Sequence, residues 1–341
     1  MRCEIEIDLK RLEENYVAIE NYIRKPLIAV VKSNAYGHGL IPIVSAMNRL
    51  GVHSFLVATM EEAILLRKQF QNISILLLEP CDDFRTMFSL KITPCVNSFS
   101  YLKQLIETNL PFPIHLKLET GLNRLGIYLS QEKECLQLIE KSRLSVRGVY
   151  THIASEKSYQ SQMYLFKKML APFSEIENLQ IHVGSSNYLI PDGVSTHYRV
   201  GLALYGLMKH REIPLKPILS LKAPVYRVKK VIKGEEIGYH NFGIVKEDGY
   251  LCTIPLGYAD GWIKERKTIG FHDAYLSQIG ETCMDLMMLF SKKYIEENRK
   301  IELISDNVDI FDLADFYGES IYQIVTLLSP RIKRTYLSSE R

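Results

Sequence analysis

A lysine closes an apolar run in Ala29-Val30-Val31-Lys32-Ser33-Asn34-Ala35-Tyr36-Gly37-His38-Gly39, and a glycine-rich turn follows it. Charged side chains rarely enter protein cores unpaired, so a lysine at the end of a buried strand is a candidate for chemistry. Partial desolvation disfavours the ammonium form, and the neutral amine is then a nucleophile able to condense with an aldehyde. A lysine in a water-exposed loop would carry the same string, so the surrounding elements must decide. The six cysteines, Cys3, Cys81, Cys95, Cys135, Cys252 and Cys283, include no C-x-x-C pair and have no histidine at zinc-finger spacing. They read as scattered reduced thiols, and no metal site is expected.

The elements that must position Lys32 alternate along the first 200 residues. Short apolar runs recur at Leu27–Val31, Phe55–Ala58, Ile73–Leu78, Ile92–Val96, Ile114–Leu118, Val146–Ile153, Ile181–Val183 and Val200–Leu204. Between them, Ile41–Leu50, Glu61–Phe70, Gln131–Lys141 and Ser158–Leu170 place apolar residues at three- and four-residue spacing, the period of an amphipathic helix. Eight buried strands with intervening helices predict a (β/α)8 TIM-type barrel, although an open doubly wound sheet alternates in the same way. In such a barrel the active site occupies the C-terminal strand ends, where Lys32 falls. After Gly206 the helical rhythm fades. Runs at Ala223–Ile232, Tyr250–Pro255 and Asp285–Phe290, broken by glycines, predict a mostly β C-terminal domain, with a last helix over Ser320–Leu328 before Pro330. The expected division is 9–215 for the barrel and 216–341 for the β domain, joined by an N-terminal strand within 1–8.

The chain has 341 residues, with Lys+Arg 42 against Asp+Glu 39, a net charge of +3. That balance lacks the basic footprint of nucleic-acid binding. No run approaches the roughly 18 apolar residues of a membrane helix, and the N-terminus lacks a signal-peptide core. A cytoplasmic protein without nucleic-acid or membrane partners is expected.

The Lys32 string resembles the cofactor-lysine segment of the alanine racemase family. Further segments similar to that family follow in order: LKLETGLNRLG, GVYTHIA, YRVGLALYG, EEIGY, IPLGYADGW, GETCMD and ESIYQIVTLLSPRIKR. The resemblance implies a pyridoxal 5'-phosphate enzyme, a homodimer with shared active sites, that racemises alanine and supplies D-alanine for peptidoglycan. It implies that Lys32 carries the cofactor and that Ser186, the backbone of Gly201 and Leu202, Tyr36 and Tyr322 contact its phosphate. Arg199 would face the pyridine nitrogen, supported by His152 and His182. Racemisation needs acid/base groups on both faces of the α-carbon; the resemblance makes Lys32 one and Tyr239, from the partner subunit, the other. Arg124 and the backbone of Met284 would meet the substrate carboxylate, Lys117 would be carbamylated to orient Arg124, and Tyr258 would line the access corridor.

The chain also departs from the family pattern. Ser185 stands in place of an asparagine, Glu281 in place of an arginine, Lys157 in place of an aspartate, and Lys264 in place of an arginine. The reversed charges at Glu281 and Lys157 lead to the expectation that these two form an inverted ion pair. Racemisation of serine or another amino acid is the nearest alternative activity. A pyridoxal-phosphate carrier would lack the β domain that holds Tyr239, and a related decarboxylase would leave the segments beyond Lys32 unexplained.

Overall fold

The computed structural model describes residues 2–264, 270–271 and 276–338. The chain divides into two compact units. One holds the described residues up to Leu12, Tyr36–Gly39 and those from Lys216 onward, and the other holds Glu13–Ala35 and Leu40–Leu215.

After the N-terminal strand β1 (Glu4–Asp8), the alternating runs form β2 (Leu27–Val30), β3 (Ser54–Val57), β4 (Ser74–Leu77), β5 (Ile92–Val96), β6 (Pro113–Lys117), β7 (Ser145–Tyr150), β8 (Gln180–His182) and β9 (Tyr198–Val200). They make one eight-stranded sheet in the order β8-β7-β6-β5-β4-β3-β2-β9, parallel at every pairing. Backbone bonds from Arg199 N to Gly184 O (3.1 Å) and Thr196 N to Ile181 O (2.8 Å) tie the two edges together. The result is the nearly closed (β/α)8 barrel. Its strands read as continuous apolar runs because helices cover the outer face and side chains fill the inner one.

The helices begin at α1 (Leu9–Ile23), followed by α2 (Leu40–Arg49), α3 (Met60–Gln69), α4 (Phe84–Ser89), α5 (Phe99–Glu107), α6 (Glu132–Glu140) and α7 (Tyr159–Leu170). On α2 the buried residues Leu40, Ile43, Val44, Ala46 and Met47 form a single stripe. Helix α3 starts where the Thr59 side chain accepts from Glu62 N, with Glu61 and Glu62 in its first turn and Arg67 and Lys68 in its last. Both ends thus suit the helix dipole.

Two strand boundaries differ from the apolar runs. The eighth barrel strand is Tyr198–Val200 and not Val200–Leu204; residues 201–207 are buried turns, with Leu204 N bonded to Gly201 O and Leu207 N to Leu202 O. Burial, not extension, makes that segment apolar. Likewise β7 ends at Tyr150, so His152 lies on the loop beyond it.

In the other unit, β1 lies between β10 (Leu219–Pro224), antiparallel, and β19 (Lys333–Leu337), parallel, with β18 (Lys300–Ile304) outside β10. A second sheet orders β11 (Arg227–Val231), β14 (Gly249–Ile254), β17 (Met287–Ser291), β16 (Leu276–Gln278) and β15 (Gly270–Phe271), and β12 (Glu236–Ile237) pairs with β13 (Gly243–Ile244). The single run Ala223–Ile232 is therefore two strands in two sheets. Val225 N bonds Arg299 O, whereas Tyr226 N bonds Thr253 O, so the chain changes sheet between adjacent residues. Helices α8 (Ile310–Tyr317) and α9 (Ile321–Leu327) follow, the latter capped by the Ser320 side chain accepting from Tyr322 N.

Candidate active site

The segment after β2 has the longest run of left-handed non-glycine residues among the described residues. Ser33, Asn34, Ala35 and Tyr36 all have φ between 53° and 55°, a left-handed helical turn built without glycine. Each such residue costs roughly 1–2 kcal/mol, so the turn persists only because its surroundings hold it. Asn34 N donates to Glu62 Oε1 (2.9 Å), and Asn34 Oδ1 accepts from Leu40 N (2.8 Å). Glu62 itself is fixed by Ala58 N at 3.0 Å. At Gly37 (φ 81°) a Cβ would stand 2.1 Å from Val325 O, so only glycine lets this turn approach α9.

Lys32 opens the turn. Burial lowers its pKa, Arg124 lowers it further, and Glu62 and Glu79 work in the opposite direction. Lys117, the last residue of β6, is buried and pushed down to about 8 by desolvation first and then by Arg124. The loop carrying Arg124 is organised by Glu119, whose carboxylate accepts from Gly121 N (2.7 Å), Asn123 N (2.9 Å) and Arg124 N (3.3 Å).

Arg199 points into the barrel interior from β9. Its Nη1 donates to the His182 carbonyl and lies 2.9 Å from His182 Nδ1. Its Nη2 donates to Thr151 O at 2.7 Å and lies 3.5 Å from His152 Nδ1. Tyr150 stacks on His182 with 4.8 Å between centroids and 9° between planes, and lies 5.0 Å from the guanidinium carbon. Burial lowers the Arg199 pKa to about 10, which leaves it charged at neutral pH. His152 is pushed down to about 3 by burial and then by Arg199, Arg124, Lys117 and Lys32 together. Basic side chains from three barrel strands or the loops that follow them, Lys32 after β2, Lys117 and Arg124 on and after β6, and Arg199 on β9, therefore bear on one neutral imidazole.

Ser186 is buried, and its Oγ accepts from Gly201 N (3.1 Å) and Ala203 N (3.2 Å). The turn after β9 aims the N–H groups of Gly201 and Ala203 at the serine, with Leu202 between them. Hydroxyl and amides form a neutral donor cradle, and the four cations make the same barrel mouth strongly anion-seeking. An aldehyde-reactive amine, a donor-only arginine and an amide-hydroxyl cradle match the aldehyde, pyridine nitrogen and phosphate of pyridoxal phosphate.

The other predicted residues belong to the unit that holds the β domain. The Tyr36 and Tyr322 rings lie 6.0 Å apart. Tyr258 N bonds Cys283 O (3.1 Å) and Ala259 N bonds Met284 O (2.9 Å), so the Tyr258 and Met284 turns are zipped together. Arg331 reinforces them, with Nε 2.7 Å from Asp260 and Nη2 2.5 Å from Asp285. Tyr239 is 67% exposed on the turn after Gly238. Glu281 has Lys264 3.7 Å away, an ion-pair partner from its own unit.

Several residues with work at this site were not singled out from the sequence. Glu119 organises the Arg124 loop. Gln162, on α7, joins Thr120 Oγ1 to His152 O and takes a bond from Ala154 N. His115 pairs with His182. A histidine in the middle of the apolar run Ile114–Leu118 was the one available signal. Among the described residues no group of ligands could hold a metal ion, and no helix is long and apolar enough to cross a membrane.

Comparison with known proteins agrees with this geometry. The family model for the alanine racemase N-terminal domain matches residues 7–209, and that for the alanine racemase C-terminal domain matches 218–336. An alanine racemase of Ligilactobacillus salivarius is 31% identical over 340 residues, covering 91% of each chain. One from Lactococcus lactis subsp. cremoris is 29% identical, covering 97% of this chain and 96% of the relative. The crystal structure of alanine racemase from Bartonella henselae with covalently bound pyridoxal phosphate superposes with a TM-score of 0.89 at 26% identity, covering 99% of this chain and 100% of that one. On these matches over both units, and on the residues gathered at the barrel mouth, the chain belongs to the alanine racemase family.

Proposed function

We propose that this protein is a pyridoxal-phosphate-dependent alanine racemase that interconverts L- and D-alanine, supplies D-alanine for peptidoglycan and works in the cytoplasm. The observation that carries the reading is the placing of Lys32 just after β2, Lys117 at the end of β6, Arg199 on β9 and the Ser186 cradle at the turn after it, in one parallel barrel. When bound, pyridoxal phosphate supplies the electron sink that makes the α C–H of an amino acid acidic.

The chain's own residues do the rest. Lys32, with its lowered pKa, holds the cofactor and, once displaced by substrate, moves a proton at Nζ on one face of the α-carbon. Tyr239, supplied by a second copy of the chain, moves one at its hydroxyl oxygen on the other face. Arg199 can only donate, so it holds the pyridine nitrogen unprotonated and restrains the side reactions that a stronger sink would open. His152, neutral and next to Arg199, supports that guanidinium at the same end of the site. Ser186 with the amides of the turn at Gly201 and Leu202, and Tyr36 with Tyr322, form the phosphate end of the site. Arg124 and the backbone of Met284 take the substrate carboxylate, His182 supports Arg199, and Tyr258 lines the approach. The exposed Tyr239, Phe242 and Ile244 are 67%, 43% and 59% accessible, as residues that complete a partner's site would be.

Lys117, neutral in a useful fraction near pH 8, is poised to take up carbon dioxide, and the resulting carbamate would attract Arg124 where an ammonium repels it. Protein equilibrated with 13C-bicarbonate is expected to show a carbamate resonance that Lys117→Ala removes; its absence from the unsubstituted protein would contradict this role. The activity is tested by purifying the protein, recording its visible absorption band and measuring D-alanine formed from L-alanine, with serine and lysine compared in parallel. The band and the activity are expected to vanish together in Lys32→Ala. A protein that binds the cofactor yet leaves all three amino acids unchanged would refute the proposal.

A further inference from the structure

His115 and His182 lie in the barrel interior, 2% and 0% exposed, with His115 Nδ1 2.8 Å from His182 Nε2. His182 Nδ1 lies 2.9 Å from Arg199 Nη1. A guanidinium carries five N–H donors and no acceptor. Its partner at Nδ1 must therefore accept, which puts the His182 proton on Nε2. That N–H points at His115 Nδ1, which must accept in turn, so His115 carries its own proton on Nε2. One donor-only group thus fixes two tautomers in succession.

The barrel is built to hold this pair. A Cβ at position 148 would stand 2.3 Å from His115 Nδ1, so Gly148 on β7 makes the room for that ring. Two residues along the same strand, Tyr150 is the plate on which His182 stacks. Both imidazoles are neutral. Burial, then His197 and Arg199, lowers the His115 pKa to about 3, and burial, then Arg199, His115 and His197, lowers that of His182.

We propose that His115 is a positioning residue for Arg199: its Nδ1 lone pair holds His182 in the one tautomer that can accept from the guanidinium. Without that acceptor, His182 Nε2–H would be a buried donor lacking a partner. Moving its proton to Nδ1 would relieve this but set donor against donor at Arg199. Only the consequence for the cofactor rests on the function proposed above; the tautomer pair does not.

Holoenzyme labelled with 15N-histidine reports each ring's tautomer, and the two signals are identified by their loss in His115→Gln and His182→Gln. In the unsubstituted protein both rings are expected to show a pyridine-type Nδ1 and a pyrrole-type Nε2. His115→Gln keeps an acceptor oxygen, so the His182 tautomer should persist. His115→Leu removes it, and is expected to move His182 toward the Nδ1–H form, shift the visible band and weaken pyridoxal-phosphate binding roughly tenfold or more, as the loss of a charge-assisted hydrogen bond implies. A pyrrole-type Nδ1 on His182 in the unsubstituted protein, or an unchanged His182 tautomer in His115→Leu, overturns the proposal. Should His115→Leu fail to fold, the spectra of the unsubstituted protein still decide. Apoprotein that refuses the cofactor but shows both expected tautomers would refute the function and leave this inference standing.

Discussion

Two acid/base residues of unlike chemistry predict an asymmetry between enantiomers. In Tyr239→Phe, Lys32 still reaches the proton of D-alanine, while the group that takes the proton of L-alanine is gone. Solvent deuterium should therefore continue to enter D-alanine without inversion, while exchange into L-alanine and racemisation fall by about 10²–10⁴, the usual worth of a positioned acid/base group. Mass spectrometry of each recovered enantiomer measures this, and equal losses for both would remove Tyr239 from the role. The interior histidines make a second prediction, about stability. The pKa values of His115 and His152 lie near 3 in the folded protein, below the ordinary value of 6.5. Between those limits the unfolded chain binds more protons, so stability is full above pH 6.5 and falls as the pH drops, by about 1.4 kcal/mol per pH unit for each histidine. Urea midpoints from pH 7 to 5 should fall accordingly, and less steeply in His115→Gln. A flat profile would mean that these rings bind protons in the native state as readily as in the unfolded chain. At this scale the candidate Lys32 was legible because a lysine at a strand end and a family-like string around it are local features. Glu119, Gln162 and His115 were not, because each acts through partners on other elements.

Among the elements, the turns that carry Tyr258 and Met284 depend on one arginine. Arg331 bonds both Asp260, which is fully buried, and Asp285, while Arg2 reaches Asp260 from the N-terminus. Arg331→Ala leaves the Asp260 carboxylate with Arg2 and the Gly257 N–H as its only partners among the described residues, so the variant should unfold at a lower temperature than the unsubstituted protein. Thermal unfolding measures that loss, and the freed Met284 turn should raise KM for alanine more than it lowers kcat. A variant with unchanged stability would show that Arg2 alone satisfies Asp260. The barrel strands were readable as apolar runs because both their faces are buried, the outer one under helices and the inner one in the packed barrel interior. Their ends were less so: apolarity reports burial, and the buried turn after Val200 and the loop at His152 look the same as strand. In the β unit, the switch of sheets between Val225 and Tyr226 leaves no mark on hydrophobic pattern, since both sides of the switch are strand. The left-handed turn from Ser33 to Tyr36 was invisible for a further reason: residue types predict a right-handed path there, and the contacts of Asn34 and Glu62 override it.

For the whole molecule, the account requires that one copy of the chain complete the site of another. Two-fold dimers make such an arrangement reciprocal, each copy lending its tyrosine to the other's barrel. Lys32→Ala and Tyr239→Phe, each inactive in racemisation alone, can therefore be unfolded, mixed in equal amounts and refolded with pyridoxal phosphate. Random pairing makes half of the dimers mixed, and each mixed dimer holds one site with both residues intact. About a quarter of the unsubstituted activity should return. A mixture that forms mixed dimers and remains inactive would show that the amine and the phenol do not meet across two chains.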